Sequence, residues 1–410
     1  MTVDPADVAA EPDAPVPSAV AEAAGHDPQP ATRPGPPGAL QDGASGQRDI
    51  GLALSGGGFR AAAFHLGCLR ALYDRDLLHR VQVVSGVSGG ALLAALWAYG
   101  PAEFSAFDEL AVGVLRRGLQ SEFVRRALRP VPLIRSLASA GRALLPGQTT
   151  TTGRSPWLRR PTRTDALAAV LAARVFADRR LDAVTHPGLE VVLTACDLRT
   201  SNAMRFGSAC SSCSRHGVIV EPVDVATAVA ASAAFPPLLP AMERTFTFRD
   251  RAGGEQRQVV VLADGGVYDN LALTPLEPGR STLYTAHVYR VRHVIACDAG
   301  RGPLALITPH LWAQRVARSF DVVHRRAQDA GRARLHQAAE AGQLDGFVLA
   351  YLGMRDERLP APLADLVPRD RVAGYPTNFK AMTQAELDLL ALRGEQLVRT
   401  LLPAYCPQLA

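Results

Sequence analysis

Ser88 is the residue whose neighbours best equip it to act as a nucleophile. It stands in Gly86-Val87-Ser88-Gly89-Gly90, a G-x-S-x-G pattern. A serine in this pattern occupies a sharp strand-to-helix turn, where side chains at the glycine positions would crowd the backbone. The β-branched run VQVVS (81–85) precedes it and the helix-forming ALLAALWAY (91–99) follows. The turn lifts Oγ to the carboxyl end of a strand and beside a helix N-terminus, whose free N–H groups and dipole favour developing negative charge. That is the setting for acyl transfer, whereas an ordinary strand-to-helix turn of the same composition would carry no chemistry.

Two further motifs bear on the same chemistry. In Ser55-Gly56-Gly57-Gly58-Phe59-Arg60, three glycines stand between an apolar run, DIGLALS (49–55), and a helical one. Backbone N–H groups of such a loop can approach an oxyanion; a phosphate cradle and a plain packing turn are the alternatives. No Lys-Ser or Lys-Thr follows, and the spacing does not fit G-x-G-x-x-G. Arg60 would sit at the mouth of the loop, orienting it or pairing with a phosphate. The second motif is Asp264-Gly265-Gly266, directly after the strand-like QVVVLA (258–263). A carboxylate there could partner Ser88, or could simply close a turn on the following N–H groups.

A serine triad needs a histidine base. His287, His293 and His310 follow Asp264 in the chain, so the order Ser, Asp, His is available, but none lies in a loop of strong site character. His65 falls within the first helix and reads as a packing residue. A carboxylate with an ordinary pKa near 4 is a poor base unless it is desolvated and bonded to the serine.

The elements that must position these residues read as strand, glycine loop, helix (59–75), strand, turn, helix: the opening of an α/β sheet with crossover connections. Strands are also expected over 189–198, 258–263, 292–300 and 346–352, and helices over 224–235, 310–342 and from Thr383, whose capping box is completed by Glu386. Residues 101–173 read as mostly helical, broken by Pro130, Pro132, Pro146 and Pro156.

SGGGFR, then GVSGG some 30 residues on, then DGG after a strand, together resemble the patatin-like phospholipase family. The resemblance implies a three-layer α/β/α sandwich with a mostly parallel central sheet, in which a Ser–Asp dyad without histidine hydrolyses lipid acyl esters through an acyl-enzyme. Ser88 is then the nucleophile, Asp264 the general base, and Gly56, Gly57 and Gly58 the oxyanion loop. Arg60, Gly86, Gly89, Gly90, Gly265 and Gly266 support them. The segment VAASAAFPPLLP (229–240) is similar to the family's small-residue helix and proline stop. The resemblance covers residues 49–300 and implies no cofactor or metal; 301–410 would be a helical extension packed on the catalytic domain. An acyltransferase, a non-lipid carboxylesterase and a catalytically silent membrane or interaction module share the same motifs as alternatives.

Composition bounds the rest. The 410 residues carry a formal charge of +5, yet the first 48 hold nine prolines and a net charge of −5, so they read as a disordered acidic arm on a basic body. The acidic start lacks a secretory core, and no uncharged apolar stretch is long enough to span a bilayer, so a cytoplasmic protein is expected, peripheral at a membrane at most. Residues 114–145 carry seven arginines among Leu, Val and Phe; they could rest on an anionic membrane or pack as a solvated basic helix pair. No zinc-finger spacing or stacking set points to nucleic acid. Cys210, Cys213 and His216 offer three ligands without an evident fourth, so an ordinary loop is the expectation ahead of a metal or redox pair. Asp197 and Asp298 end strands as rim or turn residues, and Trp97 and Trp157 read as packing residues. Oligomeric state leaves no signature in the sequence.

Overall fold

Parallel strands come from the alternation of short apolar runs with helical segments long enough to cross back over the sheet. The structure, a computed structural model, describes residues 48–128, 162–236, 238–302, 308–361 and 363–410, and residues 46–410 cluster as one unit. The expected N-terminal arm up to residue 47, the four helix-breaking prolines at 130, 132, 146 and 156, and Trp157 lie outside the described residues. Strands β1 (Ile50–Leu54), β2 (Val81–Gly86) and β3 (Glu190–Asp197) run parallel in adjacent positions, with β9 (His293–Asp298) and then β10 (Gly346–Tyr351) beyond β1. Helix α1 (Gly58–Tyr73) connects β1 to β2. After β2 come α2 (Gly89–Tyr99), α3 (Phe104–Arg117), α4 (Gln120–Ala127) and α5 (Arg163–Leu171).

The remainder of the sheet corrects the expectation of a sandwich built on a mostly parallel sheet. From β3 the chain continues through β4 (Asn202–Gly207), β5 (Ser211–Cys213) and β6 (Gly217–Ile219). After α6 (Val225–Ser232) it forms β7 (Met242–Arg249) and β8 (Glu255–Asp264), every neighbouring pair antiparallel. Strand β8 then pairs antiparallel with β3, Ala195 opposite Asp264 and Asp197 opposite Leu262. The six strands from β3 to β8 therefore close into a β-barrel that shares β3 with the parallel strands. The physical reason is the length of the connections. Links of three or four residues, such as Leu198–Ser201 and Ser214–His216, can only reverse the chain into an antiparallel neighbour.

Both faces of the parallel strands are covered. Ile50, Leu52 and Leu54 pack with α1, α2 and the C-terminal helix, while Ala53, Val83 and Val294 pack with Leu271, Leu273, Leu276 and Leu335. Residues 301–410, expected as a helical extension, also supply an edge strand, β10. After the single-turn α7 (Gly266–Asp269) that follows β8, this stretch includes α8 (Trp312–Glu340) and α10 (Gln384–Tyr405), separated by the single-turn α9 (Arg369–Val372). α10 crosses α1 at backbone contact distance: a Cβ on Gly67 would stand 1.8 Å from the Ala391 carbonyl oxygen, and one on Gly394 would stand 2.2 Å from that of Phe64. Among the described residues no helix is long and apolar enough to cross a membrane.

Candidate active site

Ser88 occupies a backbone conformation that a residue with a side chain rarely adopts, φ 54° and ψ −119°, immediately before α2. Local strain of this kind costs about 1–3 kcal/mol and persists only where the surroundings enforce it. Gly89 enforces it from one side: a Cβ there would lie 1.9 Å from the Gly58 carbonyl oxygen, so the two glycine loops meet backbone to backbone. Ser232, at the end of α6, holds the other side. Its Oγ accepts the Ser88 N–H at 3.0 Å and donates to the Thr194 carbonyl at 2.6 Å. Gly86 closes β2, and the Gly90 N–H donates to the Val87 carbonyl at 2.8 Å, completing the turn.

The barrel brings Asp264 to this turn. Gly86 pairs with Leu193; two residues further along β3 is Ala195, which pairs with Asp264. Ser88 stands two residues past Gly86, so the serine and the carboxylate reach the same level of the sheet. The end of α6 fixes the carboxylate as well as the serine. The Asp264 N–H donates to the Ala234 carbonyl at 3.0 Å, and the Gly265 N–H to the Ser232 carbonyl at 3.2 Å. Ser232 thus grips the nucleophile turn with its hydroxyl and the Asp264 turn with its backbone.

Asp264 is buried, and burial pushes its carboxyl up to about 6 against the opposing pull of the Gly266 N–H and the Ser88 side chain. The Gly266 N–H donates to Oδ1 at 2.7 Å. Oδ2 makes no well-formed hydrogen bond, so its contact with the Ser88 side chain is a loose one, as resting active sites commonly show. A desolvated carboxylate beside a serine hydroxyl is the one arrangement in which Asp can serve as a base near neutral pH.

The glycine loop divides its donors. The Gly56 N–H is engaged by the Asn270 carbonyl at 2.9 Å, and the Phe59 N–H by that of Asn378 at 2.9 Å. Gly57 and Gly58 lie between them at the N-terminus of α1, where N–H groups have no acceptor within the helix. Gly58 has φ +60°, a conformation that glycine adopts without penalty. Arg60 is buried beneath the loop. Its guanidinium donates to the Ala299 carbonyl (3.1 Å), the Tyr375 carbonyl (2.9 Å) and Thr377 Oγ1 (2.9 Å). Burial, reinforced by Arg301, lowers its pKa to about 10. Of the two roles open to Arg60, these bonds support holding the loop.

None of the four histidines considered from the sequence joins the dyad. His293 begins β9, at the opposite end of the parallel strands, and pairs with Asp49 at 3.0 Å. His65 lies against Ser55, His287 against Tyr289, and burial drives both down to about 3; His310 is exposed. Another histidine, His324 on α8, comes near the Asp264 turn, where burial lowers its pKa against the pull of the Gly266 backbone. Asp197 closes the β3–β4 turn by accepting from Thr200 Oγ1 (2.7 Å) and the Val261 N–H (3.0 Å), and Asp298 accepts from the Gly300 N–H (2.8 Å) and pairs with Arg332. Cys213 is buried in β5 and Cys210 lies just before it, both as free thiols; Trp97 is a buried packing residue. Among the described residues no three His, Cys, Asp or Glu side chains gather as a metal site. Ser232, Asn270 and Asn378 are the site residues that sequence reasoning did not single out. A polar Ser232 in an otherwise alanine-rich helix was the available signal.

Residues 52–277 match the family described as Patatin-like phospholipase. No curated protein matches the sequence. Among solved structures, human GIVD cytosolic phospholipase A2 is similar at 14% identity over 86% of this chain and 58% of its own, with a TM-score of 0.48. VipD from Legionella pneumophila is similar at 16% identity over 87% of this chain and 67% of its own, with a TM-score of 0.36. The type III effector ExoU, known from Pseudomonas aeruginosa, is similar at 18% identity over 86% of this chain and 52% of its own, with a TM-score of 0.30. The chain thus spans 58% of the length of the human enzyme.

Proposed function

This chain belongs to the patatin-like phospholipase family, and on that premise we propose that it is a serine acyl-ester hydrolase that releases fatty acid from phospholipid or lysophospholipid through Ser88 and Asp264. The observation that carries the reading is the pairing of a strained, buried Ser88 with a desolvated Asp264 whose pKa lies near 6. Asp264 takes the Ser88 proton as Oγ attacks the ester carbonyl carbon. The negative charge that forms on the carbonyl oxygen rests on the Gly57 and Gly58 N–H groups; Gly56, its own N–H engaged, keeps the loop clear of a side chain. Collapse of the tetrahedral intermediate breaks the ester bond, and Asp264 returns the proton to the departing alcohol. Water then attacks the acyl-enzyme, giving its proton to Asp264, and the fatty acid leaves as Ser88 recovers its hydrogen.

A fluorophosphonate probe combined with assays of fatty-acid release tests this. The wild-type protein should be labelled and should release acid from phospholipid, monoacyl lipid and short esters, and Ser88→Ala should do neither. Equal labelling of both proteins would end the assignment of Ser88 as nucleophile. Replacing Ser232 by alanine removes the shared support, leaving the Ser88 N–H and the Thr194 carbonyl buried without partners. The expected result is about 1–3 kcal/mol of lost stability in urea unfolding and a fall of roughly tenfold or more in kcat/KM. Unchanged values of both would show that the turn holds itself.

A further inference from the structure

We infer that the N-terminal half of α8 is the surface by which this protein docks on an anionic phospholipid bilayer. The two halves of the helix are held differently. The C-terminal half is anchored: Arg332 pairs with buried Asp298 and stacks over Tyr351, and Leu335 and Ala338 join the core. The N-terminal half presents apolar side chains to solvent. Trp312, Val316, Phe320 and Val323 are 78%, 50%, 42% and 68% exposed, and adjacent Leu311 is 65% exposed. The spacing of i, i+4, i+8 and i+11 sets the four on one stripe about 16 Å long.

The charge beside the stripe selects the partner. Residues 311–326 carry Arg315, Arg318, Arg325 and Arg326 against Asp321 alone, a net of +3 with His324 neutral. Around the helix Arg315 and Arg326 border the stripe on one flank, and Arg318, Arg325 and Arg326, with Val322, Asp329 and Ala330, line a groove of about 600 Å³ that opens away from it. An exposed apolar stripe bordered by arginines on one flank, with more on the polar face behind it, fits the boundary between acyl chains and anionic headgroups. A second copy of the chain would bring the same positive charge against itself. The stripe is also connected to the site. Phe320 stacks on His324 with ring centroids 5.7 Å apart, His324 comes near the Gly266 backbone, and the Gly266 N–H holds Asp264. Residues 114–145, for which the sequence left open a membrane contact or a packed basic helix pair, turn part of their apolar side chains inward where they are described. Leu115, Leu119 and Phe123 are buried and Arg126 pairs with Glu122, while 129–145 lie outside the described residues.

The inference rests on the proposed lipid hydrolase activity for its choice of a lipid partner, and the test separates the two. Binding of the full chain to phosphatidylcholine vesicles, with and without phosphatidylglycerol, is followed by co-sedimentation, alongside turnover of a water-soluble short-chain ester. Wild type should bind the anionic vesicles, and Trp312→Ser/Val316→Ser/Val323→Ser should weaken that binding about tenfold or more while short-ester turnover stays within about twofold. Arg315→Gln/Arg326→Gln should reduce the preference for anionic over neutral vesicles. Wild-type affinity in the triple variant, equal binding of both vesicle types by wild type, or self-association through the stripe without vesicle binding would each overturn the docking surface. Vesicle binding that follows the stripe in a protein unable to cleave the short ester would support docking and defeat the hydrolase reading.

Discussion

Replacing Ser88 with alanine should lower acyl-ester hydrolysis on the order of 10⁴-fold or more, with the fold intact. Ser232, the serine that positions the turn, cannot replace its Oγ, because that hydroxyl is committed to the Thr194 carbonyl and the Ser88 N–H. A second substitution separates chemistry from backbone strain. Alanine keeps a Cβ at φ 54° and should leave stability near that of wild type. Glycine relieves the strain and should add about 1 kcal/mol in urea unfolding while remaining inactive. The comparison is between the two inactive variants, so loss of catalysis cancels. Equal stability of Ser88→Ala and Ser88→Gly would mean that the turn stores no strain at this residue.

The Asp264→Asn variant carries the second large effect, and it has two readouts. As the proposed base, Asp264 should contribute roughly 10²–10⁴-fold, which the amide forfeits. Wild-type kcat/KM should fall about tenfold per pH unit below about 6, because the base must be deprotonated. Retention of that profile in the variant would transfer the base role to another group. Stability should respond in the opposite sense. The folded-state pKa of about 6 lies above the reference value of 3.8, so the native protein binds this proton more tightly than the unfolded chain. The resulting stabilisation is present below the unfolded pKa and is lost as pH rises through about 6. A shift of this size corresponds to about 3 kcal/mol as an upper estimate. The stability of wild type relative to Asp264→Asn should therefore fall by up to that amount between about pH 4 and pH 8. A difference independent of pH would show that the carboxylate is not desolvated.

The nucleophile turn was legible because its requirements are local. Gly86 is dictated by contact with Gly90 and Ala91 within the turn, and VQVVS and ALLAALWAY announce the flanking strand and helix by propensity and period, whereas Gly89 and Gly90 answer to Leu54–Gly58, more than 30 residues earlier. The Gly57–Gly58 loop was legible for the same reason. The barrel was not. Strands β4 to β7 escaped the sequence reading; β5 and β6 have three residues each, and only the alternation in Thr245-Phe246-Thr247-Phe248 carried a clear period. Gly56 also shows the limit: its place in the loop was evident, but the capture of its N–H by Asn270, more than 200 residues away, was not.

By itself, the sequence determined that Ser88 sits on a strained elbow, that glycine amides lie near it, and that Asp264 ends a strand, since steric and propensity rules act over a few residues. Whether Asp264 meets Ser88 was decided by the antiparallel pairing of β8 with β3, which joins residues some 70 positions apart. Ser232 binds the two turns together from a third element, and the fold leaves half of α8 anchored and half exposed. Pairings at that separation depend on strand register and on which surfaces the rest of the chain covers, and no local pattern encodes either.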